Sequence, residues 1–95
     1  MDLIDILLEG ISDNVVYENE YFRVLKILKE IPTGSSRYVK RVQLVLWLGK
    51  KTDIPDLDIR TFDKKEAIYK KGITLSMNES KDLFKALKDF YSIND

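Results

Sequence analysis

Residues 58–76, DIRTFDKKEAIYKKGITLS, alternate between apolar and polar side chains on both sides of the polar run DKKEA. This pattern predicts two antiparallel β-strands, 57–62 and 68–76, joined by a turn. Ser76 and Glu79 follow with the S-x-x-E spacing of a capping box, which marks the start of an α-helix. The helix carries one apolar stripe, expected to be core or a dimer interface, which consists of Leu83, Phe84, Leu87, Phe90 and Tyr91.

Two more strands are predicted upstream. Residues 21–31, YFRVLKILKEI, are rich in aromatic and branched side chains and lack a helix cap, and PTGSS at 32–36 is typical of a turn. Residues 37–51, RYVKRVQLVLWLGKK, continue as a long strand. Gly72 interrupts the last strand, which indicates a bulge or a close approach of two backbones. Four strands followed by one helix define an α+β domain.

The two faces of the strand within residues 37–51 differ in character, because successive side chains point to opposite sides of a sheet. One face is apolar and is expected to be core: Val42, Leu44, Leu46 and Leu48. The other face mixes a cation, an amide and a large ring: Arg41, Gln43, Val45 and Trp47. The second face suits either a partner surface or a ligand with flat rings and negative charge.

The N-terminal residues differ from the rest of the chain. LIDILLEGI, residues 3–11, has apolar residues at helical spacing, which predicts a short amphipathic helix ending near Gly10. We therefore divide the chain into an acidic helical extension, residues 1–20, and a main domain, residues 21–95. The N-terminus does not have the pattern of a signal peptide or a membrane span, so a cytoplasmic protein is expected, nucleoid-associated if bacterial.

Composition weighs against catalysis. The chain of 95 residues has no cysteine and no histidine, which removes disulfides, thiolate metal sites, the commonest metal ligand and the usual general base. Acidic residues are plentiful, but none stands in a recognisable catalytic setting. We expect a protein that is not an enzyme and needs no metal or cofactor. Because a domain this small buries a modest core, dimerisation is a plausible source of further buried area.

The formal net charge of zero conceals an uneven distribution. Residues 1–20 contain six acids and no base, whereas residues 37–71 contain ten bases against five acids, a local net charge of +5. Charges act locally at physiological salt, where the Debye length is about 8 Å, so a basic middle can attract a polyanion in a neutral protein. The alternative is that these lysines simply solvate strands and turns.

Strands, cations and interleaved aromatic rings match the requirements of single-stranded nucleic acid. Phosphates need cations along a groove, and unpaired bases stack on aromatic rings. Duplex DNA is more often recognised by a helix in the major groove, and the predicted C-terminal helix has as many acids as lysines. The sheet is therefore the better candidate for the binding surface.

The order of residues adds a resemblance. The triplet D-I-R (Asp58 to Arg60) and the run K-G-I-T-L (Lys71 to Leu75), with a helix directly afterwards, resemble the positive-cofactor-four family of transcriptional coactivators and its bacterial single-stranded-DNA-binding relatives. With the tryptophan of VLWLGKK, the resemblance to the bacterial branch covers roughly residues 21–93. It implies a whirly-like fold, in which a curved four-stranded antiparallel sheet and a helix pair into a homodimer.

Members of this family bind single-stranded DNA on the sheet without strong sequence preference, which implies a role in transcription, replication or repair. Partner proteins from transcription or replication fit that role, and RNA remains an alternative ligand. Arg60 and Lys71 fall within the matching motifs. The other candidate nucleic-acid-binding residues rest on neighbourhood and strand alternation: Arg41, Trp47, Lys50, Lys51, Phe62, Tyr69 and Lys70.

Each candidate also has a structural interpretation. Trp47, Phe62 and Tyr69 are equally suited to packing, and Arg60 to pairing with carboxylates near Asp58 across the sheet. Lys70 and Lys71 are also explained by solvation of an edge strand. The rival hypothesis for the whole protein is an interaction module that engages polypeptides through its acidic N-terminal segment and basic sheet, with incidental affinity for nucleic acid.

Overall fold

The computed structural model describes residues 16–50 and 53–94. These residues form an antiparallel sheet of five strands, ordered in the sheet as in the chain, followed by one helix. The α+β class and the C-terminal helix are as predicted, but the sheet has five strands and not four. The elements are β1 (Tyr17–Glu18), β2 (Phe22–Pro32), β3 (Tyr38–Trp47), β4 (Asp56–Asp63), β5 (Ile68–Leu75) and α1 (Met77–Asn94).

The additional strand, β1, lies within the segment that was predicted to be an N-terminal extension. Tyr17 pairs with Val24 and Glu18 with Arg23 in an antiparallel register. The turn between β1 and β2 is closed by Asn19, whose side-chain oxygen accepts hydrogen bonds from the backbone N–H groups of Tyr21 and Phe22. The sheet therefore begins at Tyr17. The helix predicted within residues 3–11 lies outside the described residues.

The sheet is strongly curled. In a flat sheet the first and fifth strands would lie about 19 Å apart, because neighbouring strands are spaced by roughly 4.8 Å. The ring centroids of Tyr17 on β1 and Tyr69 on β5 are nevertheless only 4.8 Å apart. The pairing of β2 with β3 contains two register shifts, and that of β4 with β5 contains one. Such bulges bend strands and increase their twist, so the two edges of the sheet approach each other.

The curl of the sheet determines which face is buried. The prediction that the face with Val45 and Trp47 meets a partner or a ligand is corrected by it. The hydrophobic cluster of Phe22, Val24 and Val45 lies on the face that was expected to meet a partner or ligand, and Gln43 beside it is also fully buried. Leu44 is fully buried on the opposite face, but Leu48 lies beyond β3 and is 41% exposed. The face that carries Trp47 is buried because the strands curl around it.

The predicted capping box is confirmed at the start of α1. The backbone N–H of Glu79 donates to the Ser76 hydroxyl at 3.1 Å, and the Glu79 carboxylate accepts from the Ser76 N–H at 2.8 Å. The latter bond lowers the pKa of Glu79. The helix packs against β4 and β5, and Met77 is buried there. Most of the predicted apolar stripe is exposed: Phe84, Leu87, Phe90 and Tyr91.

Gly72 permits a close approach between β4 and β5. A Cβ atom at this position would lie 2.4 Å from the backbone oxygen of Ile59 and 2.7 Å from the Cβ of Arg60. The predicted backbone role of Gly72 is therefore confirmed.

We expect Gly72→Ala to lower the free energy of unfolding by about 1–3 kcal/mol, because the added methyl group forces β4 and β5 apart. Gly49→Ala is the matched control, since a Cβ there meets nothing within 4 Å. Its effect should stay within about 0.5 kcal/mol. Urea denaturation of both variants measures the difference, and equal stability of the two would contradict the proposed contact.

Candidate nucleic-acid interface

Five aromatic side chains meet inside the curl, and we call them the aromatic cluster: Tyr17, Phe22, Trp47, Phe62 and Tyr69. Tyr69 is central, with ring centroids at 4.8 Å from Tyr17, 5.7 Å from Phe22 and 4.8 Å from Phe62. Trp47 contacts Phe22 at 5.2 Å. Offset and edge-to-face geometries of this kind stabilise the packing beyond simple burial. Phe22 and Phe62 are buried, whereas Trp47 and Tyr69 are partly exposed.

Arg41 lies over this cluster and is held from three sides. Its guanidinium carbon is 3.7 Å from the centroid of the Phe62 ring, a close cation–π contact. One terminal nitrogen donates to the Tyr69 hydroxyl at 2.9 Å, and Nε donates to the Glu30 carboxylate at 2.8 Å. The side chain is only 17% exposed. Arg41 is therefore paired within the protein.

Arg60 is paired in the same way, on the neighbouring strand. Its guanidinium donates to the Asp58 carboxylate, with a shortest distance of 3.1 Å, and to the backbone oxygen of Lys70 at 3.0 Å. The guanidinium carbon also lies 5.6 Å from the Phe22 ring and 5.8 Å from the Trp47 ring. The side chain is 15% exposed. The predicted cation thus ties β4 to β5 and packs on the aromatic cluster.

Asp58 is the buried partner that organises these bonds. Besides Arg60, it accepts hydrogen bonds from the Gln43 amide at 3.0 Å and the Thr74 hydroxyl at 2.9 Å. The Tyr69 hydroxyl donates to the Gln43 oxygen at 2.9 Å, and burial raises the pKa of Tyr69 although Arg41 opposes the shift. Within residues 16–50 and 53–94 no buried side-chain nitrogen or oxygen lacks a hydrogen-bond partner.

The remaining candidate cations lie outside this network. Lys70 and Lys71 are exposed on β5, which is an edge strand with β4 as its neighbour in the sheet. Lys50 forms an ion pair with Asp56 at 2.5 Å, and Lys51 lies outside the described residues. The carboxylates of Glu30 and Asp58 balance the two arginines. An anionic ligand would therefore meet lysines before it meets either guanidinium group.

Two further lysines, Lys64 and Lys65, lie on the turn between β4 and β5, and an ion pair anchors that turn. Arg37 donates to the Asp63 carboxylate from Nε at 3.0 Å and from a terminal nitrogen at 2.7 Å. The same carboxylate accepts the backbone N–H groups of Lys65 and Glu66. The Arg37 bonds, together with these backbone bonds, lower the pKa of Asp63 from 3.8 to about 2.

Sequence reasoning missed several residues of this region. Tyr17 was assigned to the extension, and Phe22 was placed on a strand without a role. Gln43 was noted only as a member of the strand face that carries Trp47, and Asp58 only as the first residue of the D-I-R triplet. The spacing of Asp58 and Arg60 places both side chains on one face of β4, which was the available signal that they pair with each other. Nothing in the local pattern connects Tyr17 with Tyr69.

No protein-family model matches the chain, and no curated protein sequence matches it either. Among the described residues, no helix is both long and apolar enough to cross a membrane. The same residues contain no group of three or more acidic side chains placed to hold a metal ion.

The Arg37–Asp63 pair predicts acid sensitivity. The pKa of Asp63 is about 2 in the folded protein, below its ordinary value of 3.8, so its carboxylate stabilises the fold above about pH 4. That contribution is lost as the pH falls from 4 towards 2. In urea titrations between pH 5 and pH 2, we expect Asp63→Asn to be less stable than wild type at pH 5, with the gap narrowing towards pH 2.

Asp53→Asn is the control, because Asp53 is exposed. It should follow the wild-type curve throughout. A constant gap between wild type and Asp63→Asn from pH 5 to pH 2 would contradict the assignment to this carboxylate.

Proposed function

We propose that the protein binds single-stranded nucleic acid, DNA in the first instance, without strong sequence preference and without catalysis. The observation that carries the proposal is the adjacency on β5 of two exposed cations, Lys70 and Lys71, and the central ring of the aromatic cluster, Tyr69. Phosphate binding and base stacking are the two interactions that such a ligand requires. The resemblance of the D-I-R and K-G-I-T-L segments to single-stranded-DNA-binding proteins supports the same conclusion.

The two kinds of cation have different roles in this proposal. Lys70 and Lys71 attract the phosphate backbone, because their ammonium groups are exposed. Arg41 and Arg60 are positioning residues, since their guanidinium groups hold Tyr69, Phe62 and Asp58 in place. A role in holding unpaired strands during transcription, replication or repair follows, in the cytoplasm or on a bacterial nucleoid.

The proposal predicts a salt-dependent affinity that depends on Lys70 and Lys71. We expect labelled oligo-dT of about 20 nucleotides to bind with a log affinity that falls linearly with log salt, by about 0.7 for each phosphate neutralised. The double variant Lys70→Ala/Lys71→Ala should reduce that slope by up to about 1.4. Fluorescence anisotropy over a series of salt concentrations measures both quantities, with duplex DNA as the competitor.

The matched control is Lys85→Ala/Lys88→Ala, which removes two exposed lysines from α1 and leaves β5 intact. It should keep the wild-type slope. Equal slopes for both double variants, or efficient competition by duplex, would contradict the proposed interface.

A second surface favours contact with protein. Phe84 is 67% exposed, and Leu87, Phe90 and Tyr91 on the same helix are each close to half exposed or more. Contiguous exposed apolar side chains are typical of protein interaction sites. We propose that this stripe pairs with a second copy of the chain, giving the homodimer that the resemblance implies. The alternative function, an interaction module for other polypeptides, would use the same stripe.

Measurement of the oligomeric state distinguishes pairing of α1 with a second copy of the chain from binding of α1 to another polypeptide. We expect a dimeric mass by light scattering at tens of micromolar protein, and a monomeric mass for Phe84→Glu because a carboxylate cannot be buried there without a partner. Lys85→Glu, one position along the helix, is the control for added negative charge and should remain dimeric. A wild-type monomer would contradict the homodimer and favour the interaction module.

A further inference from the structure

We propose that β1 is a displaceable cover, and that a nucleic-acid base gains access to Tyr69 by taking the place of the Tyr17 ring. The proposal rests on the proposed function and adds a regulatory step to the same surface. It follows from how Tyr69 is enclosed and from how weakly one of its neighbours is held.

Tyr69 has several close neighbours in the closed arrangement. Three rings of the aromatic cluster surround it at centroid distances of 4.8–5.7 Å, and Arg41 lies 5.7 Å from its centroid on a further side. Base stacking requires a ring face at van der Waals distance. In this proposal a base stacks on Tyr69 at the place that one of these neighbours holds.

The three neighbouring rings are not equally fixed. Phe22 and Phe62 are 4% and 8% exposed and belong to strands of 11 and 8 residues. Tyr17 is partly exposed and belongs to a strand of two residues at the edge of the sheet. Moving Phe22 or Phe62 would disrupt a long strand with two neighbours. Moving Tyr17 requires only the release of β1.

Among the described residues, β1 is joined to the sheet by a pairing of only two residues with β2, and by two backbone bonds that flank it. The backbone N–H of Val16 donates to the Val24 oxygen, and that of Asn19 donates to the Phe22 oxygen, both at 3.0 Å. The ion pair between Glu18 and Arg23 is close to half exposed at both partners, and exposed pairs contribute about 1 kcal/mol or less. Short elements with few buried contacts open at low free-energy cost. β1 has these properties.

Exchange of Tyr17 for a base conserves the aromatic packing, because one flat ring replaces another beside Tyr69 and Phe22. The apparent association constant for single strands is then the intrinsic association constant multiplied by the fraction of molecules in which β1 is released. A polyanion without bases gains nothing from this exchange.

A reversible disulfide between β1 and β2, placed in the whole 95-residue chain, tests whether β1 acts as a cover. Because Asn19 and Phe22 are joined by a backbone hydrogen bond, Glu18 and Arg23 form the adjacent non-hydrogen-bonded pair, in which Cα atoms lie about 4.5 Å apart. That separation permits a disulfide. The chain has no cysteine of its own, so Glu18→Cys/Arg23→Cys can form one intramolecular disulfide, which is closed by oxidation and opened by reduction. Non-reducing electrophoresis separates this form from disulfide-linked oligomers.

We expect the reduced double variant to bind oligo-dT at least about fivefold more tightly than the oxidised form, because only the reduced form can release β1. An abasic oligonucleotide of equal length is the matched probe, and its affinity should be the same in both forms. Equal affinity of the two forms for oligo-dT overturns the cover and leaves the proposed function intact. A redox effect of equal size on the abasic probe also overturns it.

A second variant keeps the test independent of the disulfide. Tyr17→Ser should bind oligo-dT more tightly than wild type, whereas Tyr21→Ser, which removes a neighbouring tyrosine that is 62% exposed, should bind as wild type does. Circular dichroism establishes that both variants are folded. If neither wild type, nor Tyr17→Ser, nor the reduced double variant binds oligo-dT at low salt, the proposed function itself fails and the cover fails with it.

Discussion

The carboxylate of Asp58 is buried inside the curled sheet, and a buried charge is tolerated only where it is paired and fully hydrogen-bonded. Three donors meet that requirement, and each comes from a different strand: Gln43 on β3, Arg60 on β4 and Thr74 on β5. The same carboxylate therefore fixes the relative positions of three strands. Through Gln43 it also reaches the Tyr69 hydroxyl, so the geometry of the aromatic cluster depends on it.

The pairing of arginines with carboxylates determines which positive charges are exposed at the surface. Arg60 pairs with the buried carboxylate of Asp58, and Arg41 pairs with the half-exposed carboxylate of Glu30. Both guanidinium groups lie against aromatic rings, where their planar groups pack well. Lys70 and Lys71 are exposed on β5, and Lys64 and Lys65 are exposed on the adjoining turn. Asp58 is already counted in the +5 charge of residues 37–71, but Glu30, which pairs with Arg41, lies outside that segment. The pairing of Arg41 with Glu30 therefore lowers this local charge by one.

Local patterns in the sequence predicted the elements well and their burial poorly. The alternation around DKKEA, the capping box at Ser76 and the role of Gly72 were correct because each depends on neighbours in the chain or on a single backbone contact. The face of Trp47 was misjudged because alternation identifies which side chains share a face and not which face a sheet closes around. β1 was missed because two residues carry no periodicity, although they close the curl.

The aromatic cluster and the apolar stripe of α1 share no residue, so association through the helix leaves the sheet available for a ligand. Their chemistry differs as well. The stripe offers exposed apolar area with few polar groups, which suits a permanent partner of similar character. The cluster offers rings that are already satisfied by one another, with cations beside them. Under the proposed function, a ligand at this surface must replace the ring contacts that it displaces and must also meet the cations beside them. An unpaired base attached to a phosphate satisfies both requirements.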